Sequence, residues 1–413
     1  MTIVDHLIIG GGITGTTAAE MIRKHDPNAT ITIVSEEPHP LYSRVLLPHY
    51  IQGKIKREFV FLKKDAWYSE HHINLLRGGR MKLLRPNHHE VILYNGTEYR
   101  YRKLLLATGG MPKTLPFPSL QGISYFRTLE DADAIIADLE YTNGLAPEKQ
   151  VGCIFGGGFI ALEYCLLFRK HDFTTHLLYR SEKLWGSYFD DASEQVLKKI
   201  LTDQDIHLHP HIDYVTVEGS KRLTGVRMDK QFLPCALLGV GIGLAPNAAE
   251  AAEAGIETAT GIKVNEYFET NAPDVYAAGD AAEFYDVTVG RHRLIGNWTN
   301  AQQHGMHAAK VMTGERVPFS LVSSYSNAPF GKTITFIGDV ARLPHTTVIG
   351  RAAPDQSAAE QVFIRDERIV GATLINMNRD RAILTKLIQE QRKITGQESV
   401  FADITTDLAV LFG

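Results

Sequence analysis

Cysteine is scarce in this 413-residue chain: Cys153, Cys165 and Cys235 are all there is, and no two are spaced as CxxC or CxxxxC. That scatter excludes a disulfide framework and a thiolate metal cluster, so any redox chemistry must come from a bound cofactor. Long apolar runs are missing too. No stretch approaches the length of a membrane span, and the opening MTIVDHLIIGGG lacks the charged start, apolar run and cleavage site of a secretory signal. Both absences predict a cytoplasmic protein with no membrane span. Positive charge is not in excess either: 43 Lys and Arg against 47 Asp and Glu give a formal net charge of −4. A nucleic-acid partner held by counterion release is thereby disfavoured. The 413 residues suffice for about two to three domains.

What the sequence does have is one glycine-rich phrase written twice. IIGGGITG runs from Ile8 to Gly15, and IFGGGFIA from Ile154 to Ala161. Around the first, Val4 to Ile9 predicts a buried strand and Thr16 to His25 an amphipathic helix. Gly10 permits the tight turn, Gly12 lets a pyrophosphate approach the backbone, and Gly15 allows the helix to pack closely on the strand. Ile13 and Thr14 complete the turn, whose helix N-terminus presents unpaired N–H groups to phosphate. A second strand, Thr30 to Val34, ends at Ser35-Glu36. That is roughly 20 residues beyond the turn, where a carboxylate binds a ribose diol.

The second phrase repeats the scheme: strand Val151 to Phe155, turn Gly156-Gly157-Gly158-Phe159-Ile160-Ala161, then a helical run to His171. Alanine at 161 replaces the third glycine and is still small enough for the helix-strand contact. The next strand, Thr174 to Leu178, ends at Tyr179-Arg180, where an acid would favour NADH; a cation suits a 2′-phosphate, so the pattern tilts to NADPH. Arg180 as a solvated residue is the alternative, with Glu182 close by.

Two further segments make a family resemblance specific. Leu104 to Pro112, LLLATGGMP, and Asp274 to Asp280, DVYAAGD, resemble the ATG and GD signatures of the two-dinucleotide-binding flavoprotein family. That family includes disulfide reductases, ferredoxin and rubredoxin reductases and the flavin module of nitrite reductase. The resemblance implies an α/β fold with two Rossmann-like dinucleotide-binding domains, glutathione reductase-like, plus a small α+β C-terminal domain. It implies FAD at the first turn, near Met81, Ala107, Thr108, Gly109, Gly279, Asp280 and Trp298, and NADH or NADPH at the second, near Glu163 and Gly241. For Asp280 a helix N-cap, for Glu163 a first-turn carboxylate on the helix dipole, and for Trp298 core packing stand as structural alternatives. The implied boundaries are an FAD domain of 1–117 and 248–317, an inserted NAD(P) domain of 118–247 and a C-terminal domain of 318–413.

The family differentiates at Pro40 to Gly53, PLYSRVLLPHYIQG. Disulfide reductases carry a CxxxxC pair there and NADH peroxidases a single Cys. Neither is present, which argues against a flavin-thiol relay. Tyr42, Arg44 and Leu47 instead resemble the nitrite reductase flavin module, with Arg44 beside the flavin and Pro48 where a Ser is usual. Nitrite itself is excluded as substrate of this chain alone, since siroheme and iron-sulfur regions need cysteines it lacks. The reading is an FAD-dependent NAD(P)H oxidoreductase, with Arg44 and Glu163 as catalytic candidates. Its electrons go to an external acceptor, foremost an iron-sulfur carrier such as rubredoxin or ferredoxin. An NAD(P)H oxidase or quinone reductase and a slow redox-sensing flavoprotein are the alternatives. Lys54, Lys56, Arg57, Lys63 and Lys64 offer either a landing patch for an acidic carrier or a solvated face. His207, His209 and His211 alternate on a strand edge without a firm fourth ligand, so no metal is assigned. A homodimer is one open option for assembly.

Overall fold

The computed structural model describes residues 1–228 and 231–412. The chain forms two compact units, Met1–Met111 with Leu244–Ser320, and Pro112–Gly243 with Leu321–Gly413.

In the first unit, the strands Ile73–Arg77, Ile31–Ser35, Thr2–Ile9 and Glu98–Leu106 lie side by side and parallel. Their apolar runs are continuous because a parallel sheet is covered on both faces: all of Ile31–Ser35 is buried, as are His6–Ile9 and Leu104–Leu106. The Glu90–Leu93 and Met81–Arg85 strands extend this sheet antiparallel, and Val275–Ala277 returns from late in the chain to pair parallel with Leu104–Leu106. The helix Ile13–His25 buries Ala18, Ala19 and Ile22 and ends on Arg23, Lys24 and His25, cations suited to the negative end of its dipole. It packs against the helix Trp298–Met312, which Asn297 caps by accepting the N–H of Asn300. The contact is close because Gly305 has no side chain; a Cβ there would fall 2.3 Å from the Thr14 carbonyl oxygen.

The second unit repeats the motif. Its five parallel strands run in the order Ile206–His209, Thr174–Leu178, Val151–Phe155, Leu237–Val240, Ile123–Tyr125. The helix Phe159–Lys170 covers the sheet, and Leu129–Thr142 begins with a capping box between Thr128 and Asp131. Leu321 onward adds an antiparallel sheet, in the order Ser324–Asn327, Ile334–Gly338, Arg368–Ile375, Ala359–Arg365, Thr347–Ala352. The helix Arg381–Gln389 backs it through Ile383, Leu384, Leu387 and Ile388. Inside this part a charged cluster is buried: Arg351 pairs with Glu360 at 2.8 Å and Asp380 at 2.9 Å, all three 1% exposed at the side chain. Arg351 also donates to the carbonyls of Asp403 and Thr406, tying down the C-terminal tail. The expected α/β class with a small α+β C-terminal part is what the chain adopts.

Candidate functional site

Both glycine phrases close into turns of nearly the same geometry. Gly10 N donates to Val34 O and Gly156 N to Leu178 O, at 2.8 and 2.9 Å. Both glycines are left-handed, with φ of +119° and +138°. Each presses on the next strand: a Cβ would fall 2.0 Å from Ala107 O at Gly10 and 2.1 Å from Gly241 O at Gly156. No other residue type fits there. One residue farther into each turn, space opens instead. Gly12 and Gly158 occupy the N-cap positions of their helices, with no side-chain cap and no acid in the first helical turn. The first N–H groups of both helices therefore point, uncapped by any side chain, into room left by absent Cβ atoms, which fits a dinucleotide pyrophosphate at each turn.

Around the first turn, Ile13 opens the helix, while Thr14 and Gly15 face the protein. Thr14 Oγ1 donates to Ala301 O at 3.0 Å, and a Cβ on Gly15 would strike Gly10 O. Glu36 follows its strand as expected and is exposed, 3.8 Å from Arg80, the residue before buried Met81. Thr108 and Gly109 are clamped by Asn247: Thr108 Oγ1 donates to Asn247 O, Asn247 Nδ2 to Thr108 O, and Asn247 N to Gly109 O. The LAPN end of the Leu237–Asn247 segment thus serves the first turn's unit, although the sequence assigned the whole segment to the second domain. Asp280 lies inside a short 3-10 turn, Gly279–Ala281, whose N-cap is Ala278; it is not a helix N-cap. Trp298 is half-buried at the first position of its helix and is not a core residue.

Arg44 is engaged with Glu37, which also accepts from the Tyr42 hydroxyl. Sequence reasoning missed Glu37; its place one residue after Glu36 was the only signal. It also missed His304, which is fully buried among Phe268, Phe284 and Phe319 and accepts the N–H of Gly279 through Nδ1 at 3.3 Å. Burial, with a smaller push from His307, lowers its pKa to about 3. It stays neutral and holds the turn that carries Asp280.

At the second turn, Phe159 and Ile160 start the helix and Glu163 lies one turn on. The first-turn carboxylate reading of Glu163 is thereby corrected: its Oε1 accepts from Asn327 Nδ2 at 2.9 Å, a partner supplied by the C-terminal sheet. Phe159 joins an aromatic cluster with Trp185, Tyr325 and Phe336. Tyr179 is buried, its phenol pushed up to about 12 by desolvation and by Glu194 and Glu182. Arg180 is exposed with no hydrogen bond or ion pair among the described residues, whereas Lys183 pairs with Asp191 and Glu182 with His211. His176 Nδ1 and His209 Nε2 are 3.0 Å apart, yet no group of three possible ligands among the described residues is placed to hold a metal.

Residues 4–305 match the pyridine nucleotide-disulphide oxidoreductase family. The chain belongs to that family. Membership makes it an FAD-dependent NAD(P)H oxidoreductase, as the two turns lead one to expect. Among curated relatives, the ferredoxin–NAD(+) reductase component of the p-cumate 2,3-dioxygenase system of Pseudomonas putida is 27% identical over 411 residues, 97% of each chain. The NAD(P)H nitrite reductase of Bacillus subtilis is 26% identical, covering 94% of this chain and 48% of its own. Among solved structures, putidaredoxin reductase in its covalent putidaredoxin complex superposes with a TM-score of 0.89 at 23% identity, covering 98% of this chain and 97% of that one. The NADH:rubredoxin oxidoreductase of Clostridium acetobutylicum gives 0.79 at 21% identity, covering 99% of both. The resemblance to ferredoxin reductases and to NAD(P)H nitrite reductase is thus borne out, and the fold is shared with the rubredoxin reductase. The family's redox disulfide does not carry over. All three cysteines lie in the second unit, buried and unbridged, and the first unit contains none. No helix among the described residues is long and apolar enough to cross a membrane.

Proposed function

We propose that this protein takes hydride from NADPH in preference to NADH and passes electrons singly to a separate, acidic iron-sulfur carrier protein. The observation that carries this reading is the pairing of two phosphate-ready turns with a first unit free of cysteine. When bound, the flavin and the nicotinamide nucleotide supply hydride exchange and one-electron release. The chain's own residues bind and orient them. Gly10, Gly12, Ile13 and Gly15 shape the FAD turn, with Thr14 contributing backbone only, since its hydroxyl is engaged by Ala301. Glu36 takes the ribose, Met81 the adenine end, and Ala107, Thr108 and Gly109, held by Asn247, line the flavin. Gly279, Asp280, Trp298 and Arg44 complete that site. Gly156, Gly158, Phe159, Ile160 and Gly241 hold the nicotinamide nucleotide, Glu163 sits at its reactive end, and Tyr179 and Arg180 read its ribose. Arg180 supports NADPH because it is the cation left without a carboxylate at that strand end.

The proposed modules are 1–117 with 248–317 for FAD, 118–247 for the nicotinamide nucleotide and 318–413 as a third part, with the FAD module's inner edges moved to Met111 and Leu244, where the first compact unit ends. For the carrier, Lys54, Lys56, Arg57 and Lys64 remain exposed beside Phe59 and Leu62, which are 61% and 46% exposed. Basic charge steers an acidic partner and the apolar side chains give it something to bury. Lys63 drops out of this patch, since it pairs with Glu20 and lies over the Trp67 ring. The length-matched relative named as a ferredoxin reductase component supports the choice of carrier.

Anaerobic titration tests the proposal. NADPH should bleach the flavin faster than NADH does, Arg180→Ala should abolish that preference, and an iron-sulfur carrier should restore the colour. Recovery by oxygen or a quinone alone would replace the carrier with a small acceptor. Slow turnover with every acceptor would point to a redox sensor, and a protein that binds no flavin would sink the reading.

A further inference from the structure

The two glycine turns are alike in backbone but not in what faces them. A Cβ at Gly12 would meet nothing within 4 Å; one at Gly158 would meet a single atom, Trp185 Nε1, at 3.8 Å. The space left by that missing Cβ is where a pyrophosphate comes closest to the chain. An indole N–H therefore fronts the second phosphate position and nothing comparable fronts the first. Trp185 is half-buried, and that nitrogen has no hydrogen-bond partner among the described residues. Indole N–H is a donor only, so the ligand it suits is an acceptor.

The ring is held in this place. Trp185 N donates to Gly157 O at 3.0 Å, fastening the residue to the turn itself. Phe159, Phe189 and Phe336 surround the indole at centroid distances of 5.1, 5.7 and 6.1 Å. Its backbone is left-handed, φ 54° and ψ 15°, a conformation that bulky residues rarely adopt and that persists where the surroundings enforce it. We propose that Trp185 is a phosphate-binding residue of the second turn, its indole N–H donating to a pyrophosphate oxygen of the nicotinamide nucleotide. This rests on the reading that the second turn holds that nucleotide. A neutral N–H bonded to an ionised oxygen is stronger than one bonded to a neutral acceptor, and it adds to the helix N-terminus without adding charge.

The test uses the FAD-loaded protein with 2′-phospho-ADP-ribose and ADP-ribose, the pyrophosphate-bearing parts of NADPH and NADH, with dissociation constants measured by calorimetry. Trp185→Phe keeps an aromatic ring and deletes the donor; it should weaken ADP-ribose binding roughly tenfold. Trp185→His returns a ring N–H and tolerates the left-handed backbone, so it should recover most of the loss. Flavin absorbance should be unchanged in both variants, showing that each is folded. Equal affinity in wild type and Trp185→Phe, or a His variant no better than Phe, overturns the role of the indole. If the wild-type protein binds neither 2′-phospho-ADP-ribose nor ADP-ribose, the nicotinamide assignment of the second turn falls first and the tryptophan's role with it.

Discussion

Gly156 shows how little room the second turn has. With φ at +138° and the Gly241 carbonyl 2.1 Å from any added Cβ, even alanine must push apart two neighbouring strands. Gly156→Ala should weaken NAD(P)H binding on the order of tenfold or more while the flavin spectrum stays intact. Gly10→Ala should do the reverse, giving a flavin-poor protein that still binds ADP-ribose. Those glycines were legible because the chemistry forces the residue type at a fixed spacing. Glu37, His304 and Trp185 were not. Each acquires its role from a partner brought near by folding, the Tyr42-Arg44 pair, the Gly279 N–H and the Gly158 hollow respectively. His304→Leu should therefore lower FAD affinity, and His304→Asn, whose Oδ1 can replace Nδ1 as acceptor, should retain more of it. Apoprotein titrated with FAD would decide between them.

Among the elements, the parallel strands could be read almost to the residue. Val151–Phe155 falls where its apolar run places it, since a strand buried on both faces is mostly apolar, and Thr174–Leu178 falls where β-branched Thr174 and Thr175 lead into the buried pair Leu177 and Leu178. Helix starts were less exact. The first helix begins at Ile13, inside the glycine turn and ahead of the expected Thr16, because Gly12 takes the N-cap position. The α+β character of the C-terminal part followed from the family resemblance, but the charged cluster inside it did not, since Arg351, Glu360 and Asp380 look like surface residues until folding buries them. Removing Arg351 would leave the buried carboxyl groups of Glu360 and Asp380 without their cation in a dry site and release the tail at Asp403 and Thr406. Arg351→Leu should cost about 3–5 kcal/mol, read by urea unfolding.

Across the whole molecule, acid should be destabilising. Burial holds His6 and His176 near pKa 4 and His304 near 3, with lesser contributions from neighbouring cations and histidines. Their unfolded values lie near 6.5. Between those limits the unfolded chain binds more protons, so the stabilisation is complete above about pH 6.5 and is lost as pH falls towards 4. Glu360 acts in the opposite sense: desolvation pushes its carboxyl up to about 8, so its contribution weakens as pH rises from about 4.5 to 8. His171, His209 and His307 are lowered by burial as well, and Glu194 is raised by it, so six histidines stand against two carboxyls and the acid limb is the steeper. A Tm that fell on raising pH from 4 to 6.5 would contradict these assignments.

The strand Val275–Ala277 lies beside Leu104–Leu106, yet the ribosome makes it only after the entire Pro112–Gly243 insert. While that insert is emerging, the Leu104–Leu106 edge lacks its neighbour and the Gly279–Asp280 turn does not yet exist. The inserted strands can start to associate first, as domains form along a growing chain. FAD capture is therefore a late event in biosynthesis. In a translation-arrest series, fragments halted before about residue 280 should fail to retain flavin, however long they are given.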